Sequence, residues 1–343
     1  MNEQKIDLMS LTYPELEKFI TGLGEKSFRA TQIFQWLYRG VDNFGQMTDI
    51  NKELIEKLEK NAFLTQLKII EEFVAKDGTT KFLIELYDGI LIEMVIMQYK
   101  HGNSVCISSQ AGCRMGCLFC ASTQKGLQRN LTAGELLKQV VLANNKVKIS
   151  NIVMMGVGEP LDNYENLLIF LDNIHHEKSL NISHRHISVS TCGLCDKIDD
   201  LAQKDLQITL SVSLHAPNDI IRNKIMPINN KYNIETLINT CKKYIEKTNR
   251  RISFEYILIK NLNDKPIHAV ELSKLFKNIL CHVNLIPVNH VDGKDLLPSD
   301  HHSILRFQKI LTENGINTTV RRKLGSDIDA SCGQLRLRYS EKQ

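Results

Sequence analysis

Proline and glycine are sparse in this 343-residue chain, at seven and 18 residues, too few for a fibrous or low-complexity protein. No apolar run approaches the roughly 20 residues that a membrane helix needs. The longest, around Ile90–Met97, is strand-sized and interrupted by Glu93. The opening MNEQKIDLMS has no basic stretch leading into an apolar one and so carries no mark of export. These absences predict a soluble, cytoplasmic protein with no membrane partner. In that reducing compartment nine cysteines do not make a disulfide framework, and they point instead to metal or thiol chemistry.

Acidic residues are locally missing too. From Gln98 to Asn130 there are four basic residues (Lys100, Arg114, Lys125, Arg129) and no acid. The tail from Thr319 to Gln343 has six basic residues against three acidic ones, whereas the first 60 residues have eight against ten. The formal net charge of +4 predicts no particular partner. Its concentration around the cysteine-rich segments fits a polyanion or an anionic cofactor.

An apolar share of 43% with 24% charged residues suits one large α/β domain plus an appendage. Residues 1 to about 65 read as short helices: one after Thr12 carrying Leu16, Phe19 and Ile20, one over Phe28–Leu37, one over Lys52–Lys60. Phe63–Lys76 reads as a connection. Two β-rich runs, Lys81–Tyr87 and Ile90–Gln98, flank Asp88-Gly89, a strong hairpin signal. The expected divisions are thus 1–75, a helical accessory domain; 76–103, a hairpin extension; and 104–343, the main domain. In the last, strand-like runs at Ser104–Ser108, Asn151–Met155, His186–Ser190, Ile208–Leu214, Ser253–Ile259, Val283–Val288 and Asn317–Val320 alternate with helical ones. That alternation predicts parallel strands with right-handed crossovers, about six βα units rather than the eight of a closed barrel.

Cys113, Cys117 and Cys120 are spaced CxxxCxxC. Zinc sites usually take four ligands, and no further His or Cys follows at the customary offset. A four-iron cluster also has four ligand positions, so three cysteines leave one iron open to a substrate or cofactor. With Phe119 just before the last cysteine and a strand just before the loop, the segment resembles the radical S-adenosylmethionine (SAM) superfamily, in which SAM chelates that iron. Other polar or Gly-rich clusters fall at strand carboxyl ends, where α/β folds build their sites. Gly156-Val157-Gly158-Glu159-Pro160 follows the second strand, Ser190 ends the third, Ser213-Leu214-His215 the fourth, and Asn289 follows the sixth. Together they describe one cavity able to hydrogen-bond an adenosyl group, its ribose and an amino-acid moiety.

Along essentially its whole length the chain resembles the RlmN/Cfr family of radical-SAM ribosomal-RNA adenine methyltransferases. The likeness rests on Gly24–Gln32, Cys106–Cys113, Met226-Pro227-Ile228-Asn229 and Asp327–Leu335. Gly158-Glu159-Pro160-Leu161 and Ala121-Ser122-Thr123…Arg129-Asn130-Leu131 look like the carbon-2 branch rather than the carbon-8, antibiotic-resistance branch. The resemblance implies a partial (βα)6 radical-SAM barrel with the helical N-terminal domain and hairpin as additions. It implies methylation of an adenosine near the peptidyl transferase centre of 23S rRNA, and of the adenosine 3′ of the anticodon in certain tRNAs. It also implies one [4Fe-4S] cluster on Cys113, Cys117 and Cys120, and SAM contacts from Gly158, Glu159, Ser190, Ser213, Leu214, His215 and Asn289. Cys332 would become an S-methylcysteine, Cys106 its resolving partner, and Glu93 the proton acceptor. Two SAM molecules per turnover and an electron donor such as flavodoxin or ferredoxin complete the set.

The chemistry has a physical logic. Carbon 2 of adenine lies between two ring nitrogens and is too electron-poor to displace a methyl group from a sulfonium, so a radical must attack it. A Cys332 thiolate can accept the SAM methyl group. A radical from a second SAM then removes hydrogen from that methyl group, and the resulting methylene radical joins protein to RNA. Cys106 can release the product through a transient disulfide, the kind expected in the cytosol. Glu93 lies in Leu91–Ile96, where an ionised carboxylate is costly unless paired or used.

Other features read as structural. Cys192 and Cys195 look incidental, Cys241 and Cys281 pack a core, and the pairs His175-His176 and His301-His302 sit at solvated helix ends. Arg321, Arg322, Lys323, Arg336 and Arg338 suit either phosphate contacts or a solvated tail. The rival functions are carbon-8 methylation and an iron–sulfur protein that binds RNA without turnover, which would have no use for Cys106 and Cys332.

Overall fold

The computed structural model describes residues 5–100, 102–289 and 294–322, with Gly325 and Ile328. At the N-terminal end, β1 (Ile6–Asp7) is followed by α1 (Tyr13–Gly22), α2 (Phe28–Arg39) and α3 (Lys52–Asn61), and β1 pairs in parallel with β2 (Ala62–Phe63). Local chemistry sets these boundaries. Glu15 accepts hydrogen bonds from the Thr12 amide at 2.8 Å and hydroxyl at 2.7 Å, closing the first turn of α1. Gly40, at φ +89°, ends α2. Asn51 accepts from the Leu54 amide at 2.9 Å to start α3. The apolar faces (Leu16, Ile20, Phe34, Leu54, Leu58) join one continuous core with the rest of the chain.

Among the described residues the main sheet has ten strands. In chain order come β3 (Lys68–Val74), β4 (Thr80–Glu85), β5 (Leu91–Tyr99) and β6 (Gly102–Cys106), each antiparallel to the next. A two-stranded sheet, β7 (Gln110–Gly112) with β8 (Leu127–Asn130), then brackets the cysteine loop. The remaining elements are α4 (Ala133–Lys146), β9 (Ile149–Met154), α5 (Tyr164–His175), β10 (Ile187–Thr191), α6 (Cys195–Ala202), β11 (Thr209–Ser213), α7 (Asp219–Ile225), α8 (Ile234–Thr248), β12 (Ile252–Leu258), α9 (Pro266–Leu275), β13 (Cys281–Pro287), α10 (His301–Glu313) and β14 (Thr318–Val320). The sheet order is β14-β13-β12-β11-β10-β9-β6-β5-β4-β3, parallel from β6 to β14, and it does not close. The result is an open, partial α/β barrel of six βα units with a seventh parallel strand at the edge, the architecture that the resemblance implies. None of the described helices is long and apolar enough to cross a membrane.

The expected core strands and helices are all present, with ends moved by one or two residues. Six of these elements are additional: the two-residue strands β1 and β2, then β3, β7, β8 and α7. Strand β3 occupies the stretch read as a connection, so the antiparallel extension begins at Lys68 and has three strands rather than two. As an edge strand it is half-exposed and carries Glu71 and Glu72, which blur its alternation. The β7–β8 pair is too short to leave a periodic signal, and α7 has only seven residues. His176 also differs from its solvated reading, since its ring stacks on Tyr13 at 4.6 Å.

Pairing register decides which residues share a face, because side chains alternate. Leu83 pairs with Glu93, Val95 with Cys106, Cys106 with Val153, and Val153 with Ser188. Ser190 pairs with Ser211, Ser213 with Glu255, and Glu255 with Asn284, which pairs with Thr319. One face of the sheet therefore runs from Lys81 and Glu93 through Cys106 to the serines and Glu255. The opposite face, with Phe82, Ile92, Val105, Ile152, Val189, Leu210, Val212 and Phe254, is fully buried. The polar face is the inside of the barrel.

Gly112, at φ +89°, has no room for a side chain, since a Cβ there would collide with the Gly126 carbonyl oxygen. Gly112→Ala should cost about 1–3 kcal/mol and spread the base of the cysteine loop. The expected result is a lower denaturation midpoint together with reduced iron bound per chain after reconstitution.

Candidate active site at the strand carboxyl ends

A cavity of about 240 Å³ opens at the carboxyl ends of the parallel strands. Of the residues singled out in the sequence, Cys113, Cys117, Cys120, Gly158, Glu159, Ser190, Ser213, His215 and Asn289 all line it. Leu214 is fully buried behind the lining, its amide bonded to the Glu255 carbonyl at 3.2 Å. Glu93 and Cys106 do not line the cavity but lie on the same inner face, both buried. Cys332, with Lys323, Arg336 and Arg338, lies outside the described residues.

The cysteine loop is fixed at both ends and along its length. The Cys113 amide donates to the Gly126 carbonyl at 3.1 Å, and the Leu118 amide to that of Ile225 at 2.9 Å. The Thr123 hydroxyl donates to the Cys120 carbonyl at 3.0 Å. The Arg114 guanidinium pairs with Asp162. Gly116, at φ +72°, turns the chain beneath Pro227. Among the described residues no group of His, Cys, Asp or Glu is gathered to hold a single metal ion. Three thiols spread over one loop, facing one cavity, match a cubane whose irons take one cysteine each and leave the fourth open. Burial pushes the Cys113 thiol up to about 12 and Cys117 well above the usual thiol range. Coordination to iron would be what keeps them as thiolates. The donor set therefore fits a [4Fe-4S] cluster.

The Gly156–Pro160 segment forms the next wall. Its backbone lies so close to the loop after β6 that a Cβ on Gly156 would meet the Ile107 carbonyl oxygen at 2.6 Å, and one on Gly158 the Ser109 hydroxyl at 2.6 Å. The Glu159 amide donates to Gln110 Oε1 at 2.8 Å. The Glu159 carboxylate accepts from the Cys192 amide at 2.7 Å and the Leu161 amide at 3.1 Å, while its burial pushes its pKa upward. Those two amides hold the carboxyl group at the cavity edge, where it can accept from an ammonium group.

His215 sits in a left-handed conformation, φ +58°, its carbonyl oxygen tied to Asn263 Nδ2 at 2.8 Å. Its Nδ1 accepts from the Ile257 amide at 3.0 Å, which leaves Nε2 as the protonated nitrogen. Burial, helped by Arg222, lowers its pKa to about 3. The neutral ring meets Phe119 edge-on at 4.7 Å. His215 is thus a fixed hydrogen-bond donor at physiological pH.

Three contributors were not legible in the sequence. Cys192, read as incidental, lines the cavity. Glu255, buried on the inner face, also lines it, held by Asn284 Nδ2 at 2.8 Å. Arg222 is fully buried below the site and donates to the Cys192 carbonyl at 2.8 Å, the Leu214 carbonyl at 3.1 Å and Asn229 Oδ1 at 2.9 Å. It ties the ends of β10 and β11 to the Met226–Asn229 turn, which in turn abuts the cysteine loop at Gly116. Its signal was present as an arginine four residues before a recognised motif, but nothing in spacing marks a buried anchor.

Comparison with known proteins agrees with this geometry. Residues 6–64 match the family described as ribosomal RNA large subunit methyltransferase N-terminal domain, and residues 107–272 the radical SAM superfamily. A probable dual-specificity RNA methyltransferase RlmN of Clostridium tetani is 53% identical, over 97% of each chain. The protein of that name from Bacillus velezensis is 49% identical over 100% of this chain and 96% of its own. The chain belongs to the RlmN family. A crystal structure of a radical SAM methyltransferase from Sphaerobacter thermophilus superposes with a TM-score of 0.92, at 43% identity over 96% of this chain and 98% of that one. The RlmN match explains why helical segment, cysteine loop and strand-end clusters occur together, and it brings the radical-SAM methyltransferase class with it.

Two outcomes follow for this RlmN-family chain. Arg222→Met strands several buried carbonyls and should cost about 3 kcal/mol or more, seen in the denaturant midpoint, with weakened SAM binding by equilibrium dialysis. Keeping His215 neutral contributes stability that is complete above pH 6.5 and lost as pH falls toward about 3. Denaturant titrations across that window should show a shallower acid decline in His215→Gln.

Proposed function

We propose that this protein methylates carbon 2 of an adenosine in 23S rRNA at the peptidyl transferase centre, and of the adenosine 3′ of the anticodon in a subset of tRNAs. The observation that carries the reading is the inner face itself: Glu93 and Cys106 share it with the cavity that three cysteine thiols line. A protein that only bound RNA through a structural cluster would have no use for a buried cysteine and carboxylate continuing that face. Relatives named as dual-specificity RNA methyltransferases, and the ribosomal RNA large subunit methyltransferase domain matched at the N-terminal end, support RNA as the substrate class.

When bound, the cluster and SAM would supply the carbon-centred radical that an electron-poor ring carbon requires. SAM would be used twice, first to methylate Cys332 and then as radical source, with flavodoxin or ferredoxin donating the electron. Glu159, Ser190, Ser213, His215 and Asn289 orient SAM: a carboxylate for its amino group, hydroxyls and an amide for its ribose, and the fixed His215 donor for an acceptor atom. Leu214 contributes through its backbone. Cys332 carries the one-carbon unit to the ring. Glu93 takes the ring proton, and the unpaired electron of the adduct would return to the oxidised cluster. The Cys106 thiolate then attacks Cys332 sulfur, so that the disulfide forms as the sulfur–carbon pair passes to the ring-borne carbon, which takes a proton to become the methyl group. Cellular thiols then reduce the disulfide, which suits an enzyme of the cytoplasm.

Anaerobic reconstitution with SAM and unmodified rRNA tests this. Cys106→Ala should accumulate a covalent protein–RNA adduct, and Cys332→Ala should give neither adduct nor product. Free RNA with normal turnover in Cys106→Ala would remove its resolving role. Nucleoside mass spectrometry showing 8-methyladenosine instead of 2-methyladenosine would move the protein to the carbon-8 branch.

A further inference from the structure

Lys81 has no part in the scheme above, yet its side chain is completely buried. Its ammonium lies 3.1 Å from Glu93 Oε2, with the two side chains 0% and 3% exposed. Register explains how they meet. Lys81 pairs across β4–β5 with Val95, and Leu83 with Glu93, so the lysine reaches diagonally along its own strand to the carboxylate. Val95 pairs in turn with Cys106, so Lys81, Glu93 and Cys106 occupy three adjacent strands on the inner face.

A wholly buried lysine is among the rarest placements in proteins. A buried ion pair is also a poor way to hold two strands together, because apolar residues of the same volume commonly do as well or better. The inner face itself accepts an apolar side chain here: Leu83, which pairs with Glu93 and lies two residues from Lys81 on the same face of β4, is fully buried. The charges therefore need a reason other than stability. A proton acceptor must be ionised before it acts, and burial favours the protonated form of a carboxylate unless a cation is beside it.

We infer that Lys81 is a positioning residue that holds the Glu93 carboxylate ionised and oriented on the inner face, diagonal to Cys106, for the step in which the ring proton leaves. The inference rests on the reading of Glu93 as proton acceptor. In that step the proton passes from the ring carbon to a Glu93 oxygen and the carbon–hydrogen electron pair stays with the ring, leaving a neutral carboxyl beside the ammonium. Cys332 methylation precedes this step and does not involve Glu93.

The test uses full-length, cluster-reconstituted Lys81→Met, Lys81→Arg and Glu93→Gln with SAM and unmodified rRNA, reading three quantities: methyl on Cys332, covalent protein–RNA adduct, and methylated nucleoside. Lys81→Met should methylate Cys332 like the parent, accumulate adduct, and release product roughly 10–100-fold more slowly. Lys81→Arg should restore most of the release rate. A merely structural role would lower all three readouts together and would not be repaired selectively by arginine. If Glu93→Gln traps adduct while Lys81→Met releases product at the parental rate, the role of Lys81 is overturned and that of Glu93 stands. If Glu93→Gln itself turns over normally, the reading of Glu93 fails and Lys81 with it. Should Lys81→Met lose Cys332 methylation, Lys81→Gln replaces it, and parental release there overturns the inference.

Discussion

Everything in the site depends on strand register. Ten strands are joined by fixed pairings, and a slip of one residue in any parallel pair would turn Ser190, Ser213 or Glu255 out of the barrel and bring Val189, Val212 or Phe254 into it. The fully buried apolar face prevents that slip, since it would expose those side chains to a polar interior. The hydrophobic effect thus fixes the geometry of the polar face without touching it. The antiparallel β3–β5 extension obeys the same rule and so brings Glu93 and Lys81 onto the inner face alongside Cys106.

Upon that frame the cysteine loop is assembled by backbone contacts. Two glycines, Gly112 and Gly116, take positive φ where the chain meets Gly126 and Pro227, and backbone amides at Cys113 and Leu118 close the two flanks. Arg222 provides the complementary anchor beneath, satisfying carbonyls at the ends of β10 and β11 that would otherwise be buried without partners. Burial disfavours charge throughout: it raises the pKa of the thiols and of Glu159 and lowers that of His215. A site built this way disfavours charge until a bound ligand compensates it.

Much of this was legible in the sequence because it depends on local periodicity or on spacing. The parallel strands are long apolar runs bounded by turn residues, and the CxxxCxxC loop and Gly156–Pro160 are contiguous, so their chemistry could be read before any fold was known. Residues that act through tertiary contact were not legible. Strand β3 looks like a connection because one side of it faces solvent. Lys81 and Arg222 look like ordinary surface cations until packing shows them wholly buried. Cys192 was read as incidental because the resemblance gives its CxxC with Cys195 no role, whereas its contribution is a backbone amide donated to Glu159. Glu93 shows both sides: its apolar surroundings flagged it, and only the pairing of β4 with β5 supplied its partner.

The proposed chemistry turns on whether a sulfur-borne carbon attacks the ring as a radical, and one isotope measurement addresses that directly. With SAM bearing a fully deuterated methyl group and unmodified rRNA, hydrogen abstraction from the methylated cysteine should place deuterium in 5′-deoxyadenosine. The new adenine methyl group should carry one deuterium fewer than the donor, the vacancy filled from solvent. A product methyl group that keeps every deuterium of the donor would mean direct ionic transfer and would contradict the radical route through Cys332.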